Sequence, residues 1–342
     1  MSVIINPFDE NGFSPATLTE KVNKMPVQYG MIRNSGIFKV KPVYTKDIVC
    51  TYVNGKITLL RTKDPKSKPN QLDRTKAIRK NFQTVHIPYQ ETIFSDDLAE
   101  KLKLSDNSMR TLMEEMQEVL DMMKVDHAIT EEHMLVGALQ GVIYDADGTT
   151  VIANLFDEFS VTKKAVNFVL GTATTEVSEK CKEVVRHVKK YIGGDTMTGV
   201  ECICDSVFFD NLTSHATVKD IWKEHQQSVN KAMSGEDPTQ SFSFSGITFK
   251  EYGAEASHPD TGAALPFIAT GKAHFYPVGT SKTAELYYSP ARNFSAIGQP
   301  GQPMYARQTM DPKEKWIDVD TEQNLFPLWN RPECLVEGDD GI

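Results

Sequence analysis

The sequence predicts an α+β protein with more than one domain. Three features of its 342 residues lead to this prediction. Alternation of the β type dominates both ends of the chain, one long apolar stripe of helical period lies between residues 106 and 139, and helices alternate with strands from about residue 164. A chain of this length is too long for one small core, so two or so domains are expected.

The composition is that of an ordinary globular protein. Hydrophobic residues make up 40% and charged residues 24% of the chain, which is unlike a disordered protein. The net charge of −9 argues against a general nucleic-acid binder. No apolar run reaches the length of a membrane helix and the first residues carry no secretory signal, so we expect the protein to stay in the cytoplasm where it is made.

The N-terminal region is expected to hold one short helix. Ser14 can cap it, and Leu18, Val22 and Met25 form one apolar stripe before Pro26 ends it. A single short helix cannot bury such a stripe by itself. We therefore expect it to lie against another part of the protein.

A β region follows and is interrupted by a basic segment. Residues 47–61 place Asn54-Gly55 between two β-rich runs, which is the signal of a two-residue hairpin, and residues 81–94 return as a strand. Residues 61–80 carry eight lysines or arginines against two aspartates, a net charge of +6. Such a segment is either a solvated loop or an arm that contacts an acidic surface, and both readings stay open.

The clearest helix is predicted over about residues 106–139. It would be about 50 Å long at 1.5 Å per residue, and its carboxylate pairs Glu114-Glu115 and Glu131-Glu132 are expected on the helix surface. Packing in the core is favoured over an adaptable binding surface for its methionine-rich stripe. That stripe consists of Met109, Leu112, Met113, Met116, Val119, Leu120 and Met123.

The middle and the end of the chain predict shorter elements. In chain order these are a hairpin turning at Asp145–Gly148, a helix over residues 175–194, a strand over 200–205, a helix over 205–227 broken near 213–216, a hairpin over 242–253, and strands at 304–308, 315–323 and 333–336.

Tests for catalytic, cofactor and metal motifs all fail. Gly271-Lys272 is followed by Ala273, so no phosphate-binding loop is present, and a nucleophile elbow fails because Thr283 stands where glycine is required. We expect no enzyme, no cofactor and no metal; the remote alternative is a soluble hydrolase that uses His274 and scattered carboxylates. The cysteines lack the second close pair that zinc requires and are expected to be structural thiols. They are Cys50, Cys181, Cys202, Cys204 and Cys334.

Several stretches, taken in order, resemble one protein family. They are residues 18–60 continuing into 85–98, residues 242–254, and residues 273–308 together with 315–336. Together they resemble the lambda-like major capsid proteins (protein E type) of tailed bacteriophages. The similarity extends over nearly the whole chain, and it rests on the order of the stretches since no single motif is diagnostic.

The resemblance implies the Hong-Kong-97-type capsid fold. The stretch AHFYPVGTSKTAELYYSPA, residues 273–291, would cross from one domain to the other, with Tyr287-Tyr288 as packing aromatics. The implied parts are an N-arm at residues 1–35, an E-loop with flanking strands at 36–90, a P domain with the long spine helix at 91–163 and 295–342, and an A domain at 164–294.

The resemblance also implies a structural function. Copies of the chain would assemble as hexamers and pentamers into an icosahedral shell around packaged double-stranded DNA, in the host cytoplasm, and would end in the virion. Portal and scaffolding proteins and a decoration protein would be further partners, DNA contact would be non-specific, and no membrane would be involved. A shell of the same fold that encloses an enzyme cargo, as in encapsulins, is the alternative. The basic segment would reach an acidic face of an adjacent subunit through Lys63, Lys66, Lys68, Arg74, Lys76 and Arg79.

Overall fold

A computed structural model describes residues 18–19, 23, 30–53, 77–96, 108–232 and 241–342. The helices with described bounds are α1 (Met31–Asn34), α2 (Ser108–Gln140), α3 (Leu155–Phe159), α4 (Val177–Tyr191), α5 (Ser206–Ser214) and α6 (Lys219–Ala232). The strands are β1 (Lys39–Pro42), β2 (Asp47–Val53), β3 (Ala77–Gln83), β4 (Val85–Phe94), β5 (Val142–Tyr144), β6 (Val151–Asn154), β7 (Lys164–Asn167), β8 (Gly199–Cys204), β9 (Ser241–Phe244), β10 (Ile247–Glu251), β11 (Glu255–Ser257), β12 (Ala264–Pro266), β13 (Lys272–Val278), β14 (Ala284–Tyr288), β15 (Tyr305–Met310), β16 (Trp316–Trp329) and β17 (Val336–Asp339).

Strand β16 organises the first of two large sheets. Its first part pairs with β15 on one side and β4 on the other, and its last residues pair with β14, all antiparallel. Strand β1 adds in parallel to β14 at the edge. The result is a five-stranded sheet built from segments far apart in sequence.

The long helix α2 lies against this sheet, and its two halves enter two different cores. Its first half buries part of the predicted methionine-rich stripe, including Met116 and Met123, against Ile93, Met304 and Val319. Leu18 joins the same cluster, as expected for a helical segment that cannot bury itself. The second half continues into the core between the two sheets, so α2 connects both parts of the protein.

The second large sheet has six strands in the order β7-β17-β13-β8-β10-β9. Helices α4 and α5 pack on one of its faces, where Val184, Phe208 and Phe275 share a core with Cys202. The opposite face contributes Ile203 and Tyr276 to the core that it shares with the five-stranded sheet. Burial on both faces explains the apolar character of the central strands.

Residues 272–288 cross between the two sheets. Strand β13 belongs to the six-stranded sheet and β14 to the five-stranded one. The bend between them requires Gly279, which has φ of +73° and lies so close to Thr198 that an added Cβ would be 2.4 Å from its Oγ1 atom. Tyr288 packs in the central core, where it is 2% exposed.

Most predicted elements with described residues are present. The helix predicted over 106–139 is α2, the hairpin turns at Asp145–Gly148 between β5 and β6, and the helix expected to break near 213–216 is α5 followed by α6. The N-terminal helix is described only at residues 18, 19 and 23. The Asn54-Gly55 turn lies outside the described residues; within them, β2 pairs with β3.

The last strand pairs within the six-stranded sheet. Strand β17, which the division placed in the P domain, pairs with β13 and β7 inside the six-stranded sheet. Its partners are contributed by distant segments, and local sequence does not specify such pairing. The expected domain bounds all stay a prediction.

Candidate assembly surface

Of the residues expected to contact an adjacent subunit, Arg79 falls within the described part of the chain. It lies on β3, opposite Thr51 of β2, and its side chain is exposed. The neighbouring Lys80 is half-buried and lies 3.9 Å from the carboxylate of Glu158. The other five candidates, Lys63, Lys66, Lys68, Arg74 and Lys76, lie outside the described residues.

The two-stranded ribbon of β2 and β3 is anchored firmly at its base. One face buries Ile48, Cys50 and Phe82, and the Phe82 ring stacks on Phe326 with 5.3 Å between centroids. The opposite face leaves Val49 61% exposed. The ribbon therefore fixes the chain on both sides of the basic segment, at Val53 and at Ala77.

An acidic surface lies on the first half of α2. Glu114, Glu118 and Asp121 follow one another at helical spacing, and their side chains are exposed. Met122 beside them is 50% exposed. This surface has the charge that a basic segment with a net charge of +6 would require in a partner.

The carboxylates of Glu131 and Glu132 are buried, and their expected position on the helix surface is wrong. Glu132 accepts hydrogen bonds from the backbone N–H groups of Ile32 at 2.7 Å and Arg33 at 3.0 Å, and from the Tyr252 hydroxyl at 2.8 Å. These donors replace the water that a carboxylate otherwise needs. The contact fixes α1, which precedes β1, onto the long helix.

Glu131 completes this anchor from the next position. It accepts hydrogen bonds from the Tyr288 hydroxyl at 2.8 Å and from the Gln323 side chain, and Arg33 lies 3.3 Å away. Burial raises the pKa of Glu131, although Arg33 and the two hydrogen-bond donors oppose that change. Residues 134–139 of α2 carry no polar side chain, which indicates that this end of the helix is buried but not which carboxylates are buried beside it.

Side chains of the N-terminal helical segment cap the free edge of β15. Thr19 Oγ1 both donates to the Ala306 carbonyl at 3.3 Å and accepts from its N–H at 3.1 Å, and Asn23 donates to the Met304 carbonyl at 3.0 Å. An edge strand with open N–H and C=O groups can pair with another chain. Thr19 and Asn23 therefore supply hydrogen-bond partners to some of the backbone groups on that edge.

The GTSKT stretch at residues 279–283 resembles a phosphate cradle, but a carboxylate of the same chain occupies it. Asp195 accepts hydrogen bonds from the N–H groups of Ser281 and Lys282 and from the hydroxyls of Ser281 and Thr283. Partial burial would raise the pKa of Asp195, but these donors hold it well below its usual range. These hydrogen bonds fix the loop to Asp195, so its role is structural.

Buried ionisable groups elsewhere are isolated from solvent. Burial lowers the pKa of His274 and of His127 to about 4, and it raises the pKa of Cys181 to about 12. All five cysteines are buried as free thiols. Within the described ranges, no three His, Cys, Asp or Glu side chains are grouped so that they could hold a metal ion.

None of the helices in the described part is both long and apolar enough to cross a membrane.

Comparison with known proteins gives a consistent result. The family model described as phage major capsid protein E matches residues 14–339. The major capsid protein of Pseudomonas phage KPP10 is 26% identical over 346 residues, which cover 97% of this chain and 98% of that one. The major capsid protein of Salmonella phage Felix O1 is 23% identical and is covered to 96%, as is this chain.

Solved structures show the same likeness at the level of the fold. The subunit of the bacteriophage PhiM1 mature capsid aligns over 92% of this chain and 90% of its own, with a TM-score of 0.51 and 12% identity. At this identity the likeness concerns the fold alone. The fold is the Hong-Kong-97-type capsid fold expected from the sequence.

Proposed function

The chain belongs to the phage major capsid protein E family, and from this we infer that it is the major capsid protein of a tailed bacteriophage, whose copies build the icosahedral shell around packaged DNA. The family match over residues 14–339 is the observation that carries this conclusion. The two relatives with that name are covered almost completely. The family predicted from the sequence is thereby confirmed.

The role is structural, and the partners are first of all other copies of the chain. We further propose that the protein has no catalytic activity, that it assembles in the host cytoplasm, and that portal, scaffolding and decoration proteins bind the shell. The burial of His274 and of the thiols supports a non-enzymatic role, because groups this deeply buried are not positioned to meet a substrate.

The domain division is proposed with changes at three strands, because β17 pairs within the six-stranded sheet whereas β1 and β14 pair within the five-stranded sheet. The five-stranded sheet with the first half of α2 would form the P domain, and the six-stranded sheet with α4, α5 and α6 the A domain. Strand β17 would belong to the A domain because both of its partners lie there. The anchored α1 would end the N-arm, and the β2–β3 ribbon would be the base of the E-loop.

We propose that the basic segment contacts the acidic surface of α2 on an adjacent subunit. The ribbon fixes both ends of the segment, and the net charge of +6 on residues 61–80 is complementary to the carboxylates of Glu114, Glu118 and Asp121 on α2. Such contacts are individually weak in water. Repeated in every subunit of a shell, they add to its cohesion through multivalency.

The test of the basic contact compares two variants of equal net charge. Lys63, Lys66, Lys68 and Lys76 changed to Glu should lower shell yield and heat resistance. A control with Lys189, Lys190, Lys313 and Lys315 changed to Glu carries the same charge but lies elsewhere, and it should assemble like wild type. Equal behaviour of the two variants would discard the contact.

Electron microscopy of the expressed protein tests the function itself. Negative staining of purified wild-type protein should show closed spherical particles of uniform size. Particles that enclose a single enzyme cargo instead of forming a phage head would favour the compartment reading. A protein that stays a dispersed monomer under all assembly conditions would overturn the proposed function.

A further inference from the structure

The most exposed apolar side chains of the described structure are concentrated at one place. Phe294 is 95% exposed, Ile297 is 72% exposed and Tyr44 is 65% exposed; of the four most exposed large apolar side chains in the described part, only Ile342 lies elsewhere. Single exposed apolar residues are common on protein surfaces, whereas a cluster of large ones indicates an interaction site. We call these three residues the apolar knob.

The loop that carries the knob is held rigidly. Asn293 caps its short 3-10 turn, with Oδ1 accepting hydrogen bonds from the Ala296 N–H at 2.9 Å and the Ser295 hydroxyl at 2.9 Å. The Arg292 N–H donates to Glu322 at 2.7 Å, which fixes the start of the loop to β16.

The end of the loop is fixed as tightly. The Gly301 N–H donates to the Val43 carbonyl at 2.9 Å. Gly301 lies against β14 so closely that an added Cβ would be 2.0 Å from the Tyr288 carbonyl oxygen. A loop fixed at both ends holds Phe294 and Ile297 in place before any partner arrives, which lowers the entropic cost of binding.

A hollow lies directly beside the knob. Its volume is about 330 Å³. Tyr44, Pro290, Ala291 and Ile297 line it together with polar side chains that include Lys46 and Arg292. The chain therefore carries an apolar projection and, at the same edge of the five-stranded sheet, a recess whose lining is partly apolar. When two copies meet around a rotation axis close to this edge, the projection of each can enter the recess of another.

We propose that Phe294 of one subunit inserts into the hollow beside Tyr44 and Pro290 of a second copy of this chain. The inference rests on the proposed function, since a shell supplies that second copy at a fixed position. It goes further by assigning a hydrophobic contact to this edge, separate from the charged contact of the basic segment. Buried aromatic side chains of this kind dominate the energetics of interfaces.

The first test compares Phe294→Ser with Ile342→Ser. Both changes remove an exposed apolar side chain, and neither side chain is needed for folding, so the melting temperature of unassembled subunits should not change. Phe294→Ser should raise by at least tenfold the protein concentration at which half of the chains assemble, measured by sedimentation and light scattering. Ile342→Ser should leave that concentration unchanged, and Phe294→Tyr should retain most of the wild-type behaviour.

The second test detects the contact directly. A variant with Phe294→Cys and Tyr44→Cys should form disulfide-linked dimers and higher species in assembled particles under oxidising conditions, because all five native cysteines are buried. Each single variant should form markedly fewer.

The outcomes separate this inference from the proposed function. If wild type assembles, equal assembly of Phe294→Ser and Ile342→Ser or absence of cross-links in the double variant would overturn the knob contact alone. If Phe294→Ser shells form normally but lose another virion protein, the knob belongs to that protein and the self-contact is wrong. If wild type itself never assembles, the proposed function fails first.

Discussion

The anchor between α1 and α2 leads to a sharp prediction for Glu132→Gln. The substitution keeps the shape of the side chain and removes its charge. The two backbone donors approach different oxygens, since Ile32 N–H bonds to Oε1 and Arg33 N–H to Oε2. An amide offers one oxygen, so its NH₂ group must face one of these N–H groups.

The magnitude follows from the bonds that are lost. A hydrogen bond to a charged acceptor contributes about 1.5–3 kcal/mol, and a buried donor left without a partner costs about 1–3 kcal/mol. Glu132 is 3% exposed, so water does not readily replace the lost acceptor. We expect a loss of about 3–5 kcal/mol at this anchor. At about 2 °C per kcal/mol, this lowers the melting temperature by roughly 6–10 °C if α1 unfolds together with the rest of the chain.

Hydrogen exchange detects the change even if α1 opens alone. The peptide containing Ile32 and Arg33 should exchange its amide hydrogens at least a hundredfold faster in Glu132→Gln than in wild type, since about 1.4 kcal/mol corresponds to a factor of ten. Unassembled subunits are required, so that contacts with other copies do not mask the effect. Calorimetry on the same samples gives the melting temperature.

Asp121→Asn is the matched control, because this carboxylate lies on the same helix and its side chain is exposed. It should change stability by less than about 0.5 kcal/mol. Glu132→Gln would refute the reasoning if it matched the control in both exchange and melting temperature. In that case the buried carboxylate would not hold α1.

Three other predictions concern a buried histidine, a hydrogen-bonded aspartate and a closely packed glycine. Burial lowers the pKa of His274 from an ordinary 6.5 to about 4 on folding. Its contribution to the free energy of unfolding, about 3 kcal/mol, is therefore present above pH 6.5 and is lost as the pH falls towards 4. In urea titrations, His274→Gln should flatten this part of the curve of stability against pH, and His258→Gln should not. Asp195→Ala should cost about 1–2 kcal/mol and speed hydrogen exchange in the loop that leads into β14, because four donors lose their acceptor. Gly301→Ala should destabilise the subunit by at least about 2 kcal/mol in thermal melts, because its Cβ would meet a backbone carbonyl of β14, whereas Gly253→Ala, with open space around it, should be tolerated.

A different result would contradict each of these three predictions. An unchanged acid slope in His274→Gln would show that the buried imidazole does not control acid stability. Wild-type exchange in Asp195→Ala would show that backbone contacts alone hold the loop. A fully stable Gly301→Ala would mean that the loop carrying the apolar knob is less tightly fixed to the sheet than its backbone contacts indicate.

Local periodicity was sufficient to predict several elements from the sequence. The apolar stripe from Leu112 to Met123 predicts a helix because its spacing matches one helix face, and α2 extends over Ser108–Gln140, close to the expected 106–139. The hairpin of β9 and β10 follows from alternation around Ser245-Gly246, both of which have positive φ. These signals depend on neighbours in sequence, and a single chain contains them completely.

Long-range pairing and buried polar groups could not be predicted in the same way. Nothing local indicates that β17 inserts between β7 and β13, or that Glu132 meets Ile32 a hundred residues earlier in the chain. The charge of a carboxylate suggests exposure, and only the arrangement of its donors reverses that expectation. Phe294 presents the opposite case, since an aromatic residue suggests burial and the folded loop exposes it.

Sedimentation velocity of the purified protein, over a series of concentrations and salt conditions, tests the central claim most directly. The claim is that the chain completes its contacts by joining copies of itself. The account predicts a sharp transition from subunits or capsomers to closed particles of one size above a threshold concentration. A single slow boundary of monomers, unchanged at every concentration and salt, would contradict it.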